Sequence, residues 1–586
     1  MSLNTHKLSY YISKAKSSNG SKFEKKIRIA LLSSFTINGL EETLRVLCFQ
    51  NKVDCKTYVG NYNQYNQEIL NKDSDLYKFN PDITILILDT RNFLGDLFFS
   101  PYVISSEKRN DFVNNKTVEI QELINTFSKN SESKLIISNL AIPTHSPYGI
   151  YETKADFGLQ TMITKFNENL MEFSKNNPLI YLYDFNQFIT KYGERNVFDY
   201  RQYFLGDVKI SMNYIPSFGN ELMGYVKPTL GLNKKCIVLD LDNTLWGGIV
   251  GEDGYNGIDL GDTPPGKAFV EFQKILLSLH QRGIILAINS KNNPVDAMEV
   301  IKNHPNMILR EENFACIKIN WNDKLSNMQE IANELNIGLE SIVFFDDDPI
   351  NRELMRSIIP EVLTPELPKD PSQFPLVLLN LNDFDVLKIT GEDSKRGEMY
   401  QQQRKRTELS QKTKNLDDFL NQLDIKVKIK TASEFTLPRI SQLTLKTNQF
   451  NLTTKRYQEE EIRNFINSPD KVVACAQVTD KFGDNGITGV YIINKDSNEE
   501  WSIDTMLLSC RIMGRGVEEG ILDHIIQEAR NVGVTRIKAN YIPTKKNKPA
   551  ENFLPNFGFK KENDSWYYYI DNKVKKPKHI EMIVEK

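Results

Sequence analysis

Short apolar runs that stop on a polar residue constrain this chain more than any other feature of its sequence. Residues 27–32 run into Ser33 and Ser34, residues 83–88 stop at Asp89, residues 134–138 stop at Asn139, and a fourth run covers residues 179–183. Helical patterns lie between them, the clearest an amphipathic one over residues 41–49. Apolar strands alternating with helices predict a parallel α/β sheet. Sheets of that kind place ligands beyond the carboxyl ends of their strands. The pattern restarts after Lys234 and Lys235, with runs over 236–239, 284–288, 314–319 and 342–345, and it ends near Pro368.

Beyond residue 416 the order changes. Strands over 425–429, 471–478, 487–493 and 501–508 follow one another as a meander, with a turn predicted at Gly483-Asp484-Asn485-Gly486 and a helix over 516–532. An antiparallel sheet feeding a helix is α+β. At 586 residues the chain exceeds what one core can organise. The expected architecture is therefore α/β multidomain: a flavodoxin-type α/β domain over 1–230, a Rossmannoid α/β domain without a large cap over 231–370, a charged helical linker over 371–412, an α+β domain over 413–575 and a loose tail over 576–586.

Composition removes several function classes. A net charge of −3 argues against broad nucleic-acid binding. No apolar run reaches the length of a membrane span, and residues 1–16 lack the apolar core of a secretion signal. The six cysteines (Cys48, Cys55, Cys236, Cys316, Cys475, Cys510) include no CxxC pair, which suits a reducing compartment. The expectation is a cytoplasmic enzyme with no membrane and no nucleic-acid partner.

Four elements of the second block fall at or near strand ends. Asp240-Leu241-Asp242-Asn243-Thr244 leaves the first strand, and two carboxylates at i and i+2 there can converge on one metal and one phosphate. One can attack phosphorus while the other protonates the leaving oxygen. Asn289-Ser290-Lys291 offers a hydroxyl and turn amides to phosphate oxygens. Lys324 supplies a point charge for the transition state, and Asp346-Asp347-Asp348 completes a metal shell. Only a flap over 246–254 and a helix over 268–282 separate the first two elements, so the site is expected to be uncapped and open to a substrate delivered by another domain or protein.

This quartet resembles the haloacid dehalogenase superfamily. The resemblance implies that Asp240 is the nucleophile and Asp242 the general acid/base. It also implies that Thr244, Ser290 and Lys324 hold phosphate, and that Mg2+ is bound among Asp240, Asp242, Asp346 and Asp347. In the third block, Arg511-x-x-Gly514-x-Gly516 stands before a helix, where exposed amides and the helix dipole attract phosphate. With Asn552-Phe553 and Asn556-Phe557-Gly558-Phe559 it resembles the pyrophosphate loop and domain end of GNAT-type acyltransferases, implying that Arg511, Gly514, Arg515 and Gly516 bind CoA or a carrier-bound phosphopantetheine. Cys510 sits beside Arg511 and near the helix start, a setting that favours a thiolate acyl acceptor; it equally suits a small buried residue of the core.

Taken together, Leu239-Asp240-Leu241-Asp242-Asn243-Thr244-Leu245-Trp246-Gly247-Gly248, Lys446-Thr447-Asn448-Gln449-Phe450-Asn451, Phe482-Gly483-Asp484, Ser509-Cys510-Arg511 and Thr544-Lys545-Lys546-Asn547 resemble the FkbH-like family over nearly the whole chain. That family implies a glyceryltransferase/phosphatase that takes the three-carbon acid from 1,3-bisphosphoglycerate, a phosphorylated three-carbon substrate, removes phosphate, and loads glyceryl as a thioester on an acyl carrier protein, with Cys510 as the transient acceptor. A plain magnesium-dependent phosphatase with a ligand-binding third block, and an acyl-CoA-dependent N-acyltransferase, are the alternatives. The first block resembles the SGNH-hydrolase fold, with Ser34 near the nucleophile position. It departs from that family in having neither Gly-Asp-Ser before the helix nor Asp-x-x-His before the next domain, so it is read as a degenerate scaffold or docking module, with Asn139 the candidate for an oxyanion role.

Overall fold

The computed structural model describes residues 6–17, 20, 22–389, 402, 406, 409, 413, 415–570 and 577–585. Its contacts divide the chain into two units, Met1–Val226 and Lys227–Lys586. No described helix is long and apolar enough to cross a membrane.

In the first unit, β1 (Lys25–Ser33), β2 (Val53–Val59), β3 (Ile83–Ile87), β4 (Lys134–Ser138) and β5 (Ile180–Tyr183) form one sheet in the order 2-1-3-4-5, with every neighbour parallel. β3 is buried along its whole length, which is why it reads as a continuous apolar run. β2 escapes that reading because it is an edge strand on which only Val53 is buried. Helix Ser106–Asn130 turns Val113, Thr117, Ile120, Ile124 and Phe127 toward the core at three- and four-residue spacing, and Ser105 caps it by accepting from the Lys108 amide.

The second unit begins with β6 (Cys236–Leu239), β7 (Ile285–Ser290), β8 (Phe314–Ile319) and β9 (Ile342–Phe345), all parallel in the order 8-7-6-9. Alternate residues feed two cores. Ile237, Leu239, Ile288 and Phe345 pack on one side, and Val238, Ala287, Ile342 and Phe344 on the other. Between β6 and β7 lie a flap with the short helix Val250–Asp253 and the long helix Gly266–Gln281, and no inserted domain.

The remaining strands form one mixed sheet: β10 (Ile425–Thr431), β11 (Phe450–Asn451), β12 (Lys471–Asp480), β13 (Gly483–Lys495), β14 (Glu500–Leu508), β15 (Arg536–Ala539), β16 (Lys560–Glu562), β17 (Ser565–Tyr569) and β18 (Ile580–Glu585). β10, β12, β13 and β14 pair antiparallel in the meander that the sequence predicts. Helix Val517–Asn531 then crosses to β15, which pairs parallel with β14 over Glu500 to Ile503 only. Farther along β14, Leu507 and Leu508 pair instead with β11, so β11 lies in the gap that β15 leaves. Asn547, wholly buried, donates to the carbonyls of Asn451 and Ile542 and fixes that insertion from behind.

Two expectations are corrected here. The hairpin turn is Lys481-Phe482, not Gly483-Asp484-Asn485-Gly486, because the Asp480 carboxylate accepts from the Phe482 amide and clamps the turn one step earlier. Gly486, at φ +69°, instead serves the register shift between β12 and β13. Residues 580–585, expected within a loose tail, form β18, parallel to β10 and joined to it by Lys426–Glu581 and Lys428–Glu585 ion pairs. The linker expected over 371–412 holds the short helix Phe374–Leu379 early on; its later part lies largely outside the described residues. Arg406 of that part forms a buried bidentate pair with Asp480, at 2.6 and 2.8 Å.

Candidate active site

The carboxyl ends of β6, β7 and β9 carry the site. Asp240 leaves β6 with its amide bonded to the Phe345 carbonyl of β9, which holds the two strand ends side by side. Lys324, first residue of helix Lys324–Glu334, reaches back so that its Nζ lies 2.8 Å from Asp240 Oδ2 and 2.6 Å from Asp346 Oδ2. The helix start is placed by Asp323, which caps it through the Ser326 amide, and by Asn289 at the end of β7, whose Nδ2 donates to the Lys324 carbonyl at 2.9 Å. Oxygens of Asp240, Asp346 and Asp347 come within 4.8 Å of one another. A cleft of about 570 Å³ opens above them, walled by Ser290, Lys291, Asn292, Asp242 and Trp321.

Three carboxylates and one ammonium leave this centre electron-rich. Burial alone would lower the Lys324 pKa, but the facing Asp240 and Asp346 carboxylates outweigh it and hold it above its ordinary value. Burial, with Asp240 next to it, raises Asp346 despite Lys324. Burial together with Asp240 and Asp346 pushes Asp347 up to about 6. Converging hard oxygens that resist shared ionisation fit a divalent cation of the Mg2+ type.

The structure sorts the acids. Asp348 is excluded from the cluster because it caps helix Pro349–Ile358 through the Ile350 amide, 2.9 Å away. Asp242, expected among the metal ligands, is not in that three-carboxylate group, and its carboxylate is taken up by hydrogen bonds to the flap and to Asn292. Oδ1 accepts from Trp246 Nε1 at 2.8 Å and from the Val250 amide at 3.1 Å, and Oδ2 accepts from Asn292 Nδ2 at 2.8 Å. Burial raises its pKa while the Val250 and Trp246 donors oppose the rise. Thr244, expected to hold phosphate, is fully buried and accepts from the Asp347 amide at 3.2 Å, so it fixes the β9 loop rather than facing the cleft. Ser290 does line the cleft.

Sequence reasoning missed Asn292 and the role of Trp246. Trp246 was legible as part of the flap, but nothing in its spacing says that the indole closes on Asp242. Asn292, two residues past Ser290, carries no pattern of its own. Asn243 stands at φ +53° and accepts the Gly248 amide at 2.9 Å, which turns the chain into the flap.

In the third block, Cys510 is half-buried at the start of a 3-10 turn, Cys510–Ile512, and its carbonyl accepts from Asn336 Nδ2 at 2.7 Å. The helix proper begins at Val517 after Gly516 at φ +81°. The loop that was expected to cradle pyrophosphate is filled from within. The Gly514 amide donates to Glu518 Oε1 at 3.1 Å, and Arg515 turns inward to Asp480 at 3.4 Å. Burial, with Glu519 beside it, pushes Glu518 up to about 7, and burial with Arg406 nearby brings Arg515 down to about 10. Gly514 and Arg515, expected to bind the cofactor, are thus both engaged within the fold, the amide by Glu518 and the guanidinium by Asp480. In the first unit, Ser34 Oγ accepts the Asp89 amide at 2.8 Å. Asn139 is committed to Asp184 and to the Asn186 amide, so it holds no oxyanion position.

A model of the FkbH N-terminal domain matches residues 28–227. The crystal structure of the N-terminal part of protein BF1531 from Bacteroides fragilis, containing a phosphatase domain and complexed with Mg, aligns at 30% identity over 65% of this chain and 100% of its own, with a TM-score of 0.61. The chain belongs to the FkbH family. Much slighter likenesses link about a quarter of the FkbH-family chain to acetyltransferases. For the ribosomal-protein-S18-alanine N-acetyltransferase of Escherichia coli the identity is 13% over 25% of this chain and 96% of that one, with a TM-score of 0.21. For Rv2747 of Mycobacterium tuberculosis, solved with CoA and NLQ, the values are 17%, 23%, 72% and 0.19. No curated protein matches this FkbH-family chain.

Proposed function

We propose that the Asp240 centre is a magnesium-dependent phosphatase acting through an aspartyl phosphate. The observation that carries this is Lys324 clasped between Asp240 and Asp346 while Asp242 is hydrogen-bonded to the flap: nucleophile and proton donor occupy separate environments. Asp240 attacks phosphorus as the bond to the leaving oxygen breaks, and Asp242 gives that oxygen its proton. The phosphoryl group is then an acyl phosphate on Asp240. Asp242, now ionised, takes a proton from water as the water attacks phosphorus, which releases phosphate and restores Asp240. Lys324 offsets charge on the transferring oxygens throughout. Bound Mg2+ supplies further charge neutralisation, and Asp240, Asp346 and Asp347 are the residues that would hold it. The FkbH family and its magnesium-bound relative support this reading.

The finer reading is that the group handled is glyceryl from 1,3-bisphosphoglycerate, loaded through Cys510 on an acyl carrier protein. Family resemblance and the half-buried Cys510 at a chain turn support it. One observation favours the simpler reading, a phosphatase whose third block only binds: Glu518 occupies the loop amide where CoA or phosphopantetheine phosphate was expected. Purified protein with carrier protein, magnesium and bisphosphoglycerate tests both. Glyceryl loading reads out as a mass shift on the carrier that Cys510→Ala abolishes while phosphate release continues. Phosphate release with no mass shift leaves the phosphatase alone. Loss of phosphate release on chelation, restored by Mg2+, tests the metal, and an Asp240→Asn variant that still turns over would refute the nucleophile.

A further inference from the structure

We propose that the Met1–Val226 unit carries a second small-molecule site, which takes a short monocarboxylate with an apolar body. A narrow slot of about 40 Å³ opens beyond the carboxyl ends of β3 and β4, where parallel sheets receive ligands. Phe98, Phe198, Tyr200 and Ala141 supply apolar wall, and Arg91 stands in it. The Arg91 guanidinium is surrounded by rings, 5.0 Å from Phe98, 5.8 Å from Phe99, 5.5 Å from Tyr200 and 5.2 Å from Tyr203. Such a cage holds the cation in place but gives its N–H groups no acceptor, and among the described residues they have none.

The other charged groups around the slot already have polar partners within the fold. Lys209, buried, pairs with Asp89, which also accepts the Asn92 amide at 2.9 Å. Glu194 accepts the Thr144 amide at 3.2 Å, and Asp199 caps its helix through the Gln202 amide at 3.0 Å. Arg91 is therefore the wall's open donor, and its planar fork suits a carboxylate. The charge count orders the anions. Asp89, Glu194 and Asp199 outnumber Arg91 and Lys209, so each added negative charge on the ligand is disfavoured, and a monoanion that meets the Arg91 fork is preferred to a dianionic phosphate. The slot admits only a few heavy atoms, which limits the apolar body to a short chain or a single ring. Ser34 is not part of this wall, so the site is one of binding rather than hydrolysis.

The test is titration of the full chain with benzoate, butyrate and inorganic phosphate, followed by ligand-observed NMR. Saturable binding of at least one carboxylate is expected, retained in Asp240→Asn and weakened about tenfold or more in Arg91→Met, as for loss of a charged hydrogen bond. Ala141→Phe, which fills the slot and spares Arg91, is expected to abolish it, and decides the matter if Arg91→Met does not fold. Binding of neither carboxylate, binding unchanged in the folded variants, loss of binding in Asp240→Asn, or phosphate binding more tightly than both carboxylates would each overturn the proposal.

Discussion

Asp242 illustrates how much of the chemistry is decided by single side chains. Its carboxylate takes hydrogen bonds from the Trp246 indole, the Val250 amide and Asn292, so under the proposed function the proton donor is aimed by the flap and by one asparagine. Asn292→Ala should therefore cost most where the leaving oxygen needs a proton. We expect about a tenfold fall in kcat/KM on an alkyl phosphate and little change on p-nitrophenyl phosphate, whose leaving group needs no acid. Equal losses on both substrates would mean that Asn292 only supports the fold. Glu518 makes a prediction of the opposite kind. Its folded pKa of about 7 lies above the ordinary 4.5, so between those values the folded chain holds a proton that the unfolded chain has lost. Stability therefore falls as pH rises through that window, by about 3 kcal/mol in all. Glu518→Gln keeps the acceptor for the Gly514 amide and removes the penalty. It should unfold at a higher temperature than wild type at pH 8, with the gap closing toward pH 5.

At the scale of elements, the second block was the most legible part of the chain. β6, β7 and β9 are buried along their whole length, so their apolar runs speak plainly, and the acids at the ends of β6 and β9 follow at once. Legibility fails where a strand is held by its neighbours rather than by its own pattern. β2 lies half in water, β11 has two residues and is held by Asn547, and β18 is a short apolar stretch broken by Glu581 and Glu585 after a charged run, which reads as a tail. The site shows the same division. Asp240, Lys324 and Asp346 announce themselves by position, whereas the hydrogen bond that ties Asp242 to the flap depends on a tryptophan packed against it. Because β18 covers β10, a chain ended at residue 576 should unfold several degrees lower and associate through the exposed strand, measurable by thermal melting and light scattering.

Across the Lys227–Lys586 unit, the Asp240 centre and Cys510 meet opposite ends of helix Lys324–Glu334. Lys324 touches Asp240 at the start of a helix about 16 Å long, and Asn336, just past its other end, touches the Cys510 carbonyl. Lys546 and Glu340 add an ion pair at that same far end. Direct hand-over between Asp240 and Cys510 is out of reach, so under the glyceryl reading the cargo must leave one centre and be brought to the other. Mixing Asp240→Asn protein with Cys510→Ala protein should then restore carrier loading that neither achieves alone; no restoration would point to a product kept within one molecule. The same unit carries a consequence of the β10–β18 pairing that concerns synthesis. β10 has no neighbour on that side until residues 580–585 have left the ribosome. During the interval its edge presents Lys426, Lys428 and Lys430, charges that deter strand addition by another nascent chain. Glu581 and Glu585 then arrive and claim them, so one row of lysines first keeps strangers off the edge and afterwards admits the strand that belongs there.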